Sequence, residues 1–263
     1  MGAAARAAIP PAERATLLAL YQATGGANWQ IKDSWASGAG SECNWYGVIC
    51  DVGNAHVQQI LLPGNNLVGQ LPDLSSLTGL ESLDMGGNAL SGPIPALAAL
   101  GNLQTFVAEN NALTGSIPTL PANIQDVYLS GNQLTGSLPV LTGHADLTYF
   151  EAGGNRLSGS VPSLAGLSHL TIFNVSDNQL GGTLPSLADL VDLAYFHIEG
   201  NQLHGDLPNV PSRDYLVPGA STLCPNYFNQ NANAAWDDAT GQTPWYQDCP
   251  LLPDPIFGDH FGG

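Results

Sequence analysis

One line of text is written seven times between Val57 and Val210, and no other feature constrains the fold as strongly. One copy reads Leu80-Glu-Ser-Leu83-Asp-Met85-Gly-Gly-Asn88-Ala-Leu90-Ser-Gly92-Pro-Ile94-Pro95-Ala-Leu97. Its asparagine recurs at Asn65, Asn88, Asn111, Asn132, Asn155, Asn178 and Asn201, so successive subtraction gives steps of 23, 23, 21, 23, 23 and 23 residues. A period of this length is the mark of a solenoid, in which each repeat buries its apolar face only against its neighbours.

Within a copy the apolar residues stand at offsets 0, 3, 5 and 10, as in Leu103, Phe106, Ala108 and Leu113. Offsets 3 and 5 alternate with variable residues, which predicts a short strand with one face buried. The asparagine three residues later ends the strand. Its amide donates and accepts, so stacked copies can satisfy turn backbone groups that would otherwise be buried without partners. The seven asparagines are therefore read as structural rather than as a ligand-binding row.

These residues resemble the leucine-rich repeat proteins. The added Leu113-Thr-Gly115-Ser-Ile117-Pro118 is similar to the plant-specific subclass, found also in bacterial secreted proteins. The resemblance implies an α/β-type solenoid: a leucine-rich repeat arc with a concave parallel β-sheet, a helical, Trp-rich N-terminal cap over residues 1–55, repeats over 56–210, and a disulfide-closed C-terminal cap and tail over 211–263.

In the first cap, Pro10-Pro11 precedes a predicted helix over Ala12 to Ala23, with Glu13 in its first turn, a stripe of Leu17, Leu18, Leu20 and Tyr21 to cover the first repeat, and Gly25-Gly26 as the stop. Cys43-Asn-Trp45-Tyr-Gly47-Val-Ile-Cys50, beside Trp29 and Trp35, resembles the N-terminal cap of plant-type members, in which the two cysteines form a disulfide. A zinc site is disfavoured, because six residues separate the pair and no second pair lies nearby. The loop-entropy model gives roughly 2.5 kcal/mol for such a bridge. At the other end Cys224 and Cys249 enclose an aromatic, Asn-rich segment with a predicted short helix from Ala234 to Ala239, and a bridge there is worth roughly 3.5 kcal/mol. Four cysteines, two at each end, point to two local bridges and an oxidising compartment: secreted, periplasmic or cell surface.

The short N-terminal apolar stretch does not make a secretory signal, and a removed signal is expected. The tail Asp254-Pro-Ile-Phe-Gly-Asp-His260-Phe resembles an Ile-Phe-x-Asp-x-Phe tail on some secreted gammaproteobacterial proteins, with His260 where glycine is usual, and so suggests a bacterial source.

The chain has 22 acids against 5 lysines and arginines, a net charge of −17, which disfavours nucleic acid and anionic membranes and suits a basic partner. No apolar run is long enough to insert into a membrane. No nucleophile elbow, phosphate loop, zinc-protease or dinucleotide fingerprint is present, and acids such as Asp237-Asp238 are too sparse for calcium. Neither enzyme activity, metal nor cofactor is expected. Tyr195-Phe-His197-Ile-Glu199 could place an acid and a base on one strand face, but no second histidine stands in the neighbouring strands, so a binding face is the better reading.

Function is read from the outward strand positions. One column runs Leu61, Asp84, Val107, Tyr128, Glu151, Asn174, His197, and another Gln59, Ser82, Thr105, Asp126, Tyr149, Ile172, Tyr195. All five outward positions together carry seven acids (Glu81, Asp84, Glu109, Asp126, Glu151, Asp177, Glu199) and no lysine or arginine. Tyrosines among acids suit a protein or peptide interface. The expected binding residues are Asp84, Glu109, Asp126, Tyr128, Tyr149, Glu151, Ile172, Asn174, Tyr195, His197 and Glu199, in a monomer that binds a protein or peptide, a basic one by charge. The alternatives are an ice- or glycan-binding surface on the Ser/Thr ladder of Thr114, Ser116, Thr135, Ser137, Ser158 and Ser160, which breaks at Val68, Pro93, Gly181 and Asp206, or one domain of a larger adhesin.

Overall fold

The computed structural model describes residues 9–211, 215–247 and 249. Residues 1–8 and the gammaproteobacterial-like tail lie outside the described residues. The chain forms two compact units, Met1–Thr135 and Gly136–Gly263.

In the first unit the strands Val57–Leu61, Ser82–Asp84, Thr105–Val107 and Asp126–Tyr128 pair in parallel, and Val48–Cys50 adds an antiparallel edge to the first of them. The register places Ile60, Leu83, Phe106 and Val127 side by side, all buried, with Leu61, Asp84, Val107 and Tyr128 alongside them in the next column. A second parallel set, Val68–Gln70, Ala89–Pro93 and Ala112–Thr114, forms another side of each turn. The expected period-two burial is thus present, and its cause is the pleat: one face packs the core while its neighbour points away.

The asparagines carry the predicted backbone bonds. Asn132 Oδ1 accepts from Leu113 N at 3.0 Å, and its amide donates to Ala108 O at 2.9 Å and Leu129 O at 3.0 Å. Asn65 begins the series by exchanging bonds with the backbone of Ile31 in the N-terminal cap. Replacing Asn132 by alanine leaves these buried groups unpaired and is expected to cost about 1–3 kcal/mol. Asn229→Ala removes a bond to Asp206 at an exposed site and should cost far less. Denaturant melts of the two variants check this, and equal small losses would refute it.

The N-terminal cap is a packed aromatic cluster. Helix α1 spans Pro11–Ala23, one residue longer than predicted, since proline at the first turn gives up an N–H that has no helical partner. Leu17 and Leu20 are fully buried, whereas Leu18 and Tyr21 are half-buried. The Trp35 ring lies 4.8 Å from Trp29, 5.0 Å from Trp45 and 5.8 Å from Tyr21, and all three indole N–H groups are hydrogen-bonded. Cys43 and Cys50 are bridged, as expected from the resemblance. The helix end meets the second strand set where Val68 N donates to Thr24 O. At Gly69 a Cβ would lie 2.1 Å from Ala23 O, so only glycine fits.

Two buried carboxylates are paired in this cap, and Glu13 ties it to the first strand. Glu42 is paired with Arg14, and Glu13 accepts from Val57 N at 2.8 Å and lies 2.6 Å from His56 Nδ1. The hydrogen bond to Glu13, helped by the Coulomb attraction of Glu13 and Asp51, holds the His56 imidazolium above its ordinary 6.5. A raised folded-state value means that the stabilisation is complete below pH 6.5 and is lost as pH rises through the folded-state value. Wild type should therefore exceed His56→Ala in thermal stability by more at pH 5.5 than at pH 8.5. An equal gap at both would count against the pair.

In the second unit Tyr149–Glu151, Ile172–Asn174 and Tyr195–His197 are parallel, and Arg156–Gly159, Gln179–Gly182, Gln202–Gly205 and Tyr227–Phe228 form its second set. Phe150, Phe173 and Phe196 occupy one buried column, with ring centroids 5.9 and 5.8 Å apart. Helix α2, Ala234–Thr240, is capped by Asn233, whose Oδ1 accepts from Ala235 N and Trp236 N. It places the fully buried Trp236 ring 6.0 Å from Phe196. Cys224 and Cys249 are bridged.

The asparagine series runs one step past the predicted repeats. Asn226 Oδ1 accepts from Leu203 N at 2.9 Å, and its amide donates to Ile198 O and Leu223 O. Thr222 bridges in parallel to His197, so a further rung lies inside the segment read as cap.

Candidate functional site

Each unit presents a row of outward side chains on its strands. In the first unit Asp84, Glu109, Asp126 and Tyr128 are all half-buried. Asp84 Oδ1 accepts from Gly86 N at 3.0 Å, and Gln58 donates to Glu81 at 2.8 Å across neighbouring strands. Thr105 Oγ1 donates to Asp126 Oδ2 at 3.2 Å. Burial against the sheet nonetheless raises the Asp126 carboxyl above its ordinary 3.8, more than this bond lowers it.

In the second unit the register brings Tyr149, Ile172 and Tyr195 into one column and Glu151, Asn174 and His197 into the next. Glu199 follows two residues on. Tyr195 is 36% exposed and the other six are half-buried, so a partner could reach all of them without displacing the buried phenylalanine column. Asn174 Oδ1 accepts from Ser176 N and Ser176 Oγ, which pins its amide in a local loop. A Cβ at Gly153 would lie 2.9 Å from both Asn174 Oδ1 and Ser176 Oγ, so a side chain there would have to displace this pair.

Thr222, which lies beyond the predicted repeats, completes this row. Its hydroxyl lies 2.7 Å from His197 Nδ1 and donates to Glu199. The signal that could have found it is Leu223-Cys-Pro-Asn226, which repeats the apolar-x-x-Asn of every strand end at a longer step of 25 residues from Asn201. Apolar surface borders the same row: Val217, 37% exposed, donates its backbone N–H to Ala194 O beside Tyr195.

Acids and histidines are spread along the strands rather than gathered: among the described residues no group of three or more His, Cys, Asp or Glu side chains is placed to hold a metal ion. No helix among them is long and apolar enough to cross a membrane. Of the Ser/Thr ladder, Thr114 in the first unit and Ser158 and Ser160 in the second are exposed.

A family model described as Leucine rich repeat N-terminal domain matches residues 10–51, and one described as Leucine Rich Repeat matches residues 169–190. The probable inactive receptor kinase RLK902 of Arabidopsis thaliana is 36% identical over 78 residues, which is 28% of this chain and 11% of that protein. The solved structure of a Pollen Receptor Kinase 3 is similar at 29% identity and a TM-score of 0.60, over 71% of this chain and 94% of that one. The plant peptide hormone receptor RGFR1, solved in complex with RGF2, is similar at 26% identity and a TM-score of 0.56, over 72% of this chain and 35% of that receptor. The fold is a leucine-rich repeat solenoid of the plant type, with about seven turns and a disulfide near each end.

Proposed function

We propose that this leucine-rich repeat chain is a non-enzymatic recognition module, secreted or held at a cell surface, which binds a basic protein or peptide through the outward row of its second unit. The observation that carries the reading is the alternation along three paired strands. Phe150, Phe173 and Phe196 are fully buried, while Tyr149, Glu151, Ile172, Asn174, Tyr195 and His197 between them stay accessible. Rigid tyrosines supply contact area at little entropic cost, and the exposed Val217 beside Tyr195 adds apolar surface that a partner would cover. The similarity to a plant peptide hormone receptor solved in complex with RGF2 supports a peptide as the class of ligand. Asp84, Glu109, Asp126 and Tyr128 form a corresponding row on the first unit. The acids of both rows should speed capture of a cationic partner and weaken binding as salt rises. A bacterial source rests on the tail alone and draws no support from the plant relatives.

The test is selection of binders from a displayed peptide library, followed by affinity measurement on variants. Tyr149→Ala with Tyr195→Ala should weaken binding at least about tenfold, as loss of interface tyrosines does. Ser158→Ala with Ser160→Ala should leave it unchanged. Loss in the serine pair alone would move the site to the Ser/Thr side and favour the ice or glycan reading.

A further inference from the structure

The Thr222 hydroxyl stands between two titratable side chains of the neighbouring strand, His197 and Glu199. A hydroxyl has one proton to give, and an ionised carboxylate can only accept. The Thr222 proton is therefore committed to Glu199, and the 2.7 Å contact with His197 Nδ1 requires that Nδ1 be the donor. A neutral imidazole carries a single ring proton, so Nε2 is left as a bare acceptor. Nε2 makes no hydrogen bond to any described residue, and the ring is steadied by stacking on Tyr195, with centroids 6.4 Å apart and planes at 21°.

Among the described residues, the strands around this imidazole carry no lysine or arginine. Its own strand offers Tyr195, with Glu199 just beyond it. The 172–174 strand offers the uncharged Asn174, with Asp177 beyond it donating its backbone N–H to Glu199 O. The other neighbour offers Thr222 and the bridged Cys224, with Tyr227 beyond.

We propose that His197 is a pH gate in the recognition row for an arginine- or lysine-rich peptide, its neutral Nε2 accepting a donor of that peptide and its protonated Nε2 repelling it. The proposal rests on the reading of this row as a recognition surface. Nδ1 keeps its proton in both states, so the bonds to Thr222 and Glu199 survive and the change is confined to the unpaired atom.

Two measurements test it. Imidazole 15N NMR of the free protein reads the tautomer without a ligand: at pH 8 wild-type Nδ1 should appear protonated and Nε2 unprotonated, and Thr222→Val should abolish that preference. The second is binding of an acetylated, amidated octa-arginine peptide, which has no titrating group between pH 5.5 and 8.0. Its affinity should rise about fivefold over that range, the factor that corresponds to Coulomb repulsion between unit charges about 4 Å apart in water. His197→Asn should flatten the step, whereas His169→Gln, whose imidazole faces Asp192, should keep it. A wild-type Nε2–H tautomer at pH 8, or equal steps in wild type and His197→Asn, overturns the gate and leaves the recognition row standing. A peptide bound equally well by the Tyr149→Ala, Tyr195→Ala variant overturns both.

Discussion

Phe173→Ala should lower the stability of the protein by about 3–5 kcal/mol, the range for truncating a fully buried aromatic side chain. The Phe173 ring has the rings of Phe150 and Phe196 on either side, at 5.9 and 5.8 Å. Truncation therefore opens a cavity between two aromatic side chains held by their own strands, and neither can move to fill it. The loss combines the transfer free energy of the ring with the cavity left behind. The neighbouring Ile172→Ala, on the outward column, should cost less than about 1 kcal/mol, because that side chain is already half in water. Urea unfolding of the two variants separates the faces of one three-residue strand. Comparable losses would mean that burial does not alternate along it as described.

Trp236→Ala should be similarly costly, about 3–5 kcal/mol. This side chain is fully buried, packs 6.0 Å from Phe196, and donates its indole N–H to Pro208 O at 2.8 Å. It continues the phenylalanine column after the repeats have ended, which is what a terminal cap of a repeat protein has to do. Trp236→Phe keeps most of the packing but leaves the Pro208 carbonyl unpaired, so a smaller loss of about 1–3 kcal/mol is expected. Amide hydrogen exchange adds a spatial check: in Trp236→Ala, protection should fall most in the Tyr195–His197 strand. Uniform loss through the second unit would indicate a global rather than a capping role.

The repeat core was legible because its information is local and repeated. An apolar residue at offsets 3 and 5 has the same burial in every turn, and an asparagine at a strand end meets the same backbone groups in each copy. Both disulfides were legible for a related reason, since each pair is close in sequence and the repeats between them hold no cysteine. The register of the outward columns also followed, because a strand of period two leaves no choice about which residues share a face.

Contacts that bring together residues far apart in the chain were not legible. Glu13 reads as an ordinary acid in the first turn of a helix, yet it is 1% exposed and receives the first strand at Val57 and His56, 44 and 43 residues away. Asn226 fell out of the count because its step is 25 residues, and a periodic search rewards equal spacing rather than equal partners.

By itself the sequence determined the solenoid, the asparagine ladder, the alternation of buried and outward strand residues and the two local bridges, all of which depend on spacings of a few residues. Only the tertiary structure decided that Thr222 stands against His197 and Glu199, 25 and 23 residues away, and so which ring nitrogen of that histidine is left free. The physical reason is that a hydrogen bond depends on positions good to a few tenths of an ångström. Those positions are set by how one turn of the solenoid stacks on the next, and no pattern within a single turn records that stacking.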